Sequence, residues 1–164
     1  MTPRTVAYVD HAAEVGGAEK SLCELVAALD HERVRPVILH LPEAQWLKYA
    51  QGTGAELRPA VPPSDLYAAR RTELGGGPIA GMQRVLDAMP PLGALWREFG
   101  QLAPDLVHTN STKMHLMAGA AARLRKLPVV WHMRDLMTDE DARAWLRRAV
   151  QRVRPEVIAI SEAV

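Results

Sequence analysis

The chain has 164 residues, 48% of them hydrophobic, enough for one well-buried α/β domain. Its formal net charge of +1 carries no polyanion-binding signature, and Cys23, the only cysteine, excludes an intrachain disulfide and any metal site built on several cysteines. No apolar segment near the start is long enough for a signal peptide or a membrane span, so a cytoplasmic protein is expected.

Thr5-Val6-Ala7-Tyr8-Val9 reads as a first strand, placed where doubly wound sheets put a central one. A loop over 10–15 and the pair Gly16-Gly17 lead into a helix over 18–29, whose inward stripe is Leu22, Leu25, Val26 and Leu29. Cys23 falls on the apolar side of that helix, which fits a buried, inert thiol. A second strand over 35–41 ends at Pro42, a short helix is predicted over 43–51, and Gly52-Thr53-Gly54 stops it. A third strand over 56–61 contains Pro59, which moves it to a sheet edge. The stretch 62–78, with Pro62-Pro63, Arg70-Arg71 and Gly75-Gly76-Gly77-Pro78, is the least regular and reads as a functional loop or a simple connection.

Helices over 79–89 and 92–102 are predicted on either side of Pro90-Pro91. The stretch 104–135 then organises the chain. Leu106-Val107-His108 is a strand, and Thr109-Asn110-Ser111-Thr112 is a polar elbow suited to capping. Apolar residues at helical spacing run from Lys113 to Arg125, and Val129-Val130-Trp131 starts the fifth strand. Two strands joined by one helix in so few residues lie parallel with a right-handed crossover. A helix over 141–153 and a sixth strand over 157–160 follow.

The sum is an α/β fold: a Rossmann-like parallel sheet of about six strands, in the order 3-2-1-4-5-6, with helices on both faces. The absence of a helix after the sixth strand suggests one domain of a longer protein.

The candidate site residues gather at the carboxyl ends of the strands, where open parallel sheets bind ligands. Gly16 and Gly17 open the first helix, where free N–H groups and the positive dipole end suit a phosphate. A P-loop is excluded because Glu19, not glycine, precedes Lys20, and a dinucleotide fingerprint because His40 stands where an acid belongs. Asn110 and Ser111 suit helix capping and, equally, an anion or a sugar. In Trp131-His132-Met133-Arg134-Asp135, His132 could meet a sugar hydroxyl and Arg134 a phosphate, with Asp135 orienting Arg134; a structural ion pair beside a satisfied histidine is the competing reading. No zinc, calcium or serine-hydrolase motif occurs. Arg143, Arg147, Arg148 and Arg152 form one face of the helix over 141–154, which could rest on an anionic membrane or simply be solvated. No aromatic residues interleave with the basic ones, so a nucleic-acid partner is not expected.

Gly16-Gly17-Ala18-Glu19, the run from Pro104 to Ser111, Trp131-His132-Met133-Arg134-Asp135 and Val157-Ile158-Ala159-Ile160-Ser161-Glu162 occur in that order. Together they resemble the amino-terminal, acceptor-side domain of GT-B glycosyltransferases of the family-4 type (group 1). The resemblance implies one half of a GT-B fold, with the donor-binding carboxy-terminal domain outside these residues. It implies a retaining hexosyl transfer from a nucleotide sugar to a glycan, lipid or small-molecule acceptor, with no metal and no cofactor beyond the nucleotide-sugar co-substrate. It gives His132 the contact with the transferred sugar, Gly16 and Gly17 the donor diphosphate or the acceptor, and Ser161 a place near the domain crossover. A non-catalytic Rossmann-like module binding a phosphorylated small molecule or a partner protein is the alternative, since this architecture hosts many functions.

Overall fold

The computed structural model describes residues 2–64, 78–134 and 140–161. In chain order the elements are β1 (Arg4–Val9), α1 (Gly17–Ala27), β2 (Val34–Leu39), α2 (Leu47–Ala50), β3 (Glu56–Arg58), α3 (Pro78–Leu102), β4 (Leu106–Thr109), α4 (Thr112–Leu124), β5 (Val129–Met133), α5 (Glu140–Val153) and β6 (Glu156–Ala159). The strands form one parallel sheet in the order β3-β2-β1-β4-β5-β6, the expected order. The sequence direction therefore reverses between β1 and β4, which opens a crevice at their carboxyl ends. Helices cover both faces, with α3, α4 and α5 side by side on one and α1 against α2 on the other.

Register decides which side chains share a face. Tyr8 pairs with His108 and His108 with Val130, so Tyr8, His108 and, two residues on, His132 stand on one face. Val9, Thr109 and Trp131 stand on the other, against α4. Trp131 is fully buried and stacks on His115 of α4, with ring centroids 5.2 Å apart. The core is continuous from Val37 and Ile38 through Leu22 and Val26 to Leu95, Phe99 and Met114. Cys23 is buried as expected, and burial pushes its thiol pKa up.

Two predicted helices differ. The one expected over 43–51 shrinks to Leu47–Ala50, because Glu43 takes a left-handed φ of 60° that a helix cannot use. The same segment is instead tied down by Trp46, whose buried indole Nε1 donates to the Ala12 carbonyl at 2.8 Å. The two helices expected around Pro90-Pro91 are one continuous α3. The prolines remove the donors for the carbonyls of Leu86 and Asp87, both exposed residues where water can serve instead. Beyond them, buried Leu95, Phe99 and Leu102 hold the helix to the core.

Candidate active site

Three strand ends supply the site. Asp10 follows β1, Asn110 follows β4, and Arg134 follows β5. Asp10 and Asn110 are both buried, and the Asn110 Nδ2 donates to Asp10 Oδ2 at 2.7 Å across the point where the sheet reverses. Asp10 Oδ1 accepts from the Ala12 backbone N–H at 2.9 Å. Asn110 Nδ2 also reaches the Ala18 carbonyl at 3.2 Å, and its Oδ1 accepts from Arg134 Nε at 2.9 Å. Arg134 Nη2 lies 3.2 Å from His132 Nδ1. A second bridge crosses the same crevice, from Ser111 Oγ to His11 Nδ1 at 2.9 Å.

Burial sets the electrostatics. It raises the Asp10 carboxyl above the ordinary range, against the hydrogen bond from Asn110 and the nearby charge of Arg134. It raises Glu19 as well, with the charge of Asp10 adding to the effect. His11 is held down to about 4 by burial and by Lys113. His108 is likewise held to about 4 by burial, then by His132 and Arg134. His132 is lowered by burial and by the Arg134 guanidinium. These imidazoles are therefore neutral near pH 7, and Arg134 is the cation among them.

Gly16 is the N-cap of α1, and its backbone N–H is already used: it donates to Glu19 Oε2 at 2.7 Å. A Cβ on Gly16 would meet that same oxygen at 2.7 Å, whereas one on Gly17 would meet nothing within 4 Å. Space for a ligand thus lies over Gly17. A cavity of about 900 Å³ lies beside Gly16 and Glu19, lined also by His11, Ala12, Val15 and Leu41 among others.

The candidate residues separate cleanly. Asn110, Arg134 and His132 form one connected group, with Ser111 beside it. Ser111 is the N-cap of α4, as its residue type indicated, but Asn110 does not cap; its side chain turns to Asp10. Ser161 lies past β6, exposed and without a hydrogen bond to this group. Asp135 lies outside the described residues, and most of 62–78 does too. The residue seen to orient Arg134 is Asn110.

Two members escaped the sequence reading. Asp10 is the first polar residue after the apolar run of β1, as His132 is after that of β5. Glu19 excludes a P-loop and belongs to the Gly16-Gly17-Ala18-Glu19 motif, but Gly-x-x-Glu at a helix start is also the spacing of a capping pair. Among the described residues, no group of three or more His, Cys, Asp or Glu could hold a metal ion. No helix among them is long and apolar enough to cross a membrane.

No curated protein matches the chain. Solved structures resemble it at the level of fold. The crystal structure of Acinetobacter baumannii MurG superposes with a TM-score of 0.63 at 17% identity, covering 99% of this chain and 43% of that one. Anabaena Alr3699/HepE, in complex with UDP-glucose, gives a TM-score of 0.66 at 18% identity, covering 97% and 38%. The glycotransferase of kitacinnamycin gives 0.53 at 22%, covering 91% and 35%. The chain thus spans less than half the length of each of these proteins. The six-stranded parallel sheet with helices on both faces is that of a GT-B glycosyltransferase domain. The family profile described as Glycosyltransferase Family 4 matches residues 15–164, nearly the whole of the chain, and the chain belongs to that family.

Proposed function

We propose that this chain is the acceptor-side domain of a retaining glycosyltransferase, which moves a sugar from a nucleotide-sugar donor to an acceptor held in the cavity beside Glu19. The observation that carries this reading is the chain of contacts from Asp10 through Asn110 and Arg134 to His132, set at the sheet's reversal point in a Family 4 fold. The Anabaena structures hold UDP-glucose, UDP and glucose, which supports a nucleotide sugar as the donor class here.

In this reading the domain positions and stabilises rather than transferring protons. His132 is neutral and suited to hydrogen-bonding the transferred sugar, and Arg134 keeps a cation beside it. With retention, the donor diphosphate itself assists deprotonation of the acceptor on the same face of the sugar. Donor-phosphate cations come from a second domain, so the 164-residue chain alone does not turn over. The test is His132→Ala in the protein joined to its donor domain. Loss of one such hydrogen bond in the transition state lowers kcat by about 10²–10³-fold. Unchanged kinetics would remove His132 from the site, and transfer by the pure 164-residue chain at an enzyme's usual rate would refute the half-site reading.

A second element of the proposal is peripheral contact with the inner face of a membrane. It rests on α5, where Arg143, Arg147, Arg148 and Arg152 are exposed while Val153 is buried. Anionic vesicles should sediment the chain at low salt, and replacing Arg147, Arg148 and Arg152 by Gln should abolish that; equal sedimentation would assign the face to solvent.

A further inference from the structure

We infer that Asp10, Asn110 and Arg134 are positioning residues that lock His132 as the Nε2–H tautomer, so that His132 can only donate a hydrogen bond from its ligand-facing nitrogen. The group it meets is then an acceptor oxygen, of a hydroxyl or a phosphate, and His132 serves neither as base nor as acid.

The polarity of the chain is fixed at both ends. Asp10 offers Oδ2, and the Ala18 carbonyl is an obligate acceptor, so the Asn110 amide must turn its NH₂ toward them. Its Oδ1 then faces Arg134, which is itself a donor at every nitrogen. Nη2 of Arg134 brings an N–H to His132 Nδ1 at 3.2 Å. A proton on Nδ1 would set two donors against each other, so Nδ1 accepts and the proton sits on Nε2. No described residue takes a hydrogen bond from that Nε2. Burial and the Arg134 charge both disfavour the imidazolium, which would otherwise carry both protons.

Asp10 roots the arrangement. It is buried, held by two hydrogen bonds, and belongs to a different strand end from the histidine it controls. The sheet contains its own contrast. Thr109 Oγ1 lies 2.6 Å from His115 Nδ1 and 3.2 Å from the Val130 carbonyl; with the hydroxyl proton given to that carbonyl, Thr109 accepts from His115 Nδ1–H. His40 Nδ1 lies 2.7 Å from the Leu41 carbonyl and is protonated for the same reason. Two buried histidines are thus one tautomer and His132 the other.

The inference concerns the reading of His132 as a substrate contact, but its test uses no sugar. Histidine-selective ¹⁵N labelling of the chain, with long-range ¹H–¹⁵N correlation at pH 7, reports the tautomer of each ring. The expected result is His132 protonated on Nε2 with a hydrogen-bonded Nδ1, and His115 and His40 protonated on Nδ1. Arg134→Met should erase the hydrogen-bond shift of His132 Nδ1 and release the ring to a mixture of tautomers, while His115 and His40 stay as they were. Asn110→Ala should do the same through loss of Arg134's acceptor. A wild-type His132 with its proton on Nδ1, or on both nitrogens, would overturn the inference without any variant. So would a His132 spectrum that Arg134→Met leaves unchanged with His115 and His40 intact. Failure here leaves the transferase reading standing, and failure of His132→Ala in transfer assays leaves this one standing.

Discussion

Asn110→Ala is the most informative perturbation of stability. Asn110 and Asp10 are each 1% exposed, so water does not replace the amide. The variant loses the 2.7 Å bond to Asp10 Oδ2, the 3.2 Å bond to Ala18 and the acceptor of Arg134 Nε. A hydrogen bond to a buried charged group is worth about 1.5–3 kcal/mol, and the orphaned Arg134 N–H, half-open to solvent, adds less, so the expected loss near neutral pH is about 2–4 kcal/mol. The pH dependence is the sharper part. Burial already raises the Asp10 pKa above its ordinary 3.8, and the Asn110 bond opposes that rise. Removing the bond raises the pKa further. The unfolded carboxyl is common to both proteins, so the variant's extra deficit opens as pH climbs from the wild-type folded pKa, already above 3.8, to the higher folded pKa of the variant, and narrows as pH falls back below both. Urea unfolding followed by circular dichroism across that range measures it. A loss that is the same at acid and neutral pH, or one that grows toward acid, would refute the assignment of Asp10 as the buried charge that Asn110 serves.

Two further outcomes concern the scaffold. A Cβ on Gly119 would lie 3.0 Å from Trp131 Nε1 and 3.3 Å from Val153 Cγ1, whereas one on Gly93 meets nothing within 4 Å. Trp131 is fully buried and stacked on His115, so it cannot retreat, and overpacking at about 1–3 kcal/mol should outweigh the ~1 kcal/mol helix gain of Gly119→Ala. Gly93→Ala should stabilise by about 0.5–1 kcal/mol, and finding the same sign for both in urea titrations would refute the contact geometry. Trp46→Phe leaves the Ala12 carbonyl without its 2.8 Å donor; a loss of about 1–2 kcal/mol is expected, with faster amide exchange over residues 12–16, and unchanged exchange there would show that the indole does not hold the loop.

Much of this was legible in the sequence because parallel α/β sheets state their plan locally. Apolar runs such as Val6 to Val9 and Val129 to Trp131, each followed by polar residues, give both the strands and the edge at which chemistry gathers. What was not legible depends on contacts between residues about one hundred apart. Asn110 reads as a cap by residue type, and only the register that puts β4 beside β1 turns its amide toward Asp10. The helix over 43–51 failed for a related reason: burial of Trp46 beside Ala12 outweighed helical propensity and forced Glu43 to a left-handed φ. Proline pairs normally end helices, yet α3 runs through Pro90-Pro91 because tertiary packing of Phe99 and Leu102 sets its course.

The charges at this edge bear directly on the proposed division of labour. Asp10 and Glu19 are carboxyls, Arg134 and Lys113 are cations, and His11 and His132 are held neutral. Among the described residues, the edge therefore has no surplus of positive charge with which to hold a diphosphate, and the one N–H that Gly16 offers already serves Glu19. Uridine diphosphate should bind this chain alone with a Kd of about 1 mM or weaker, equivalent to no more than ~4 kcal/mol. Glu19→Gln keeps an oxygen for the Gly16 N–H and removes the negative charge facing the phosphate, so it should tighten binding by about fivefold, roughly 1 kcal/mol. Calorimetric titration reads both values. Micromolar affinity in the wild-type chain would mean that it carries a complete donor-phosphate site and would overturn the need for a second domain. An unchanged Kd in Glu19→Gln would move the phosphate away from Gly16 and Gly17.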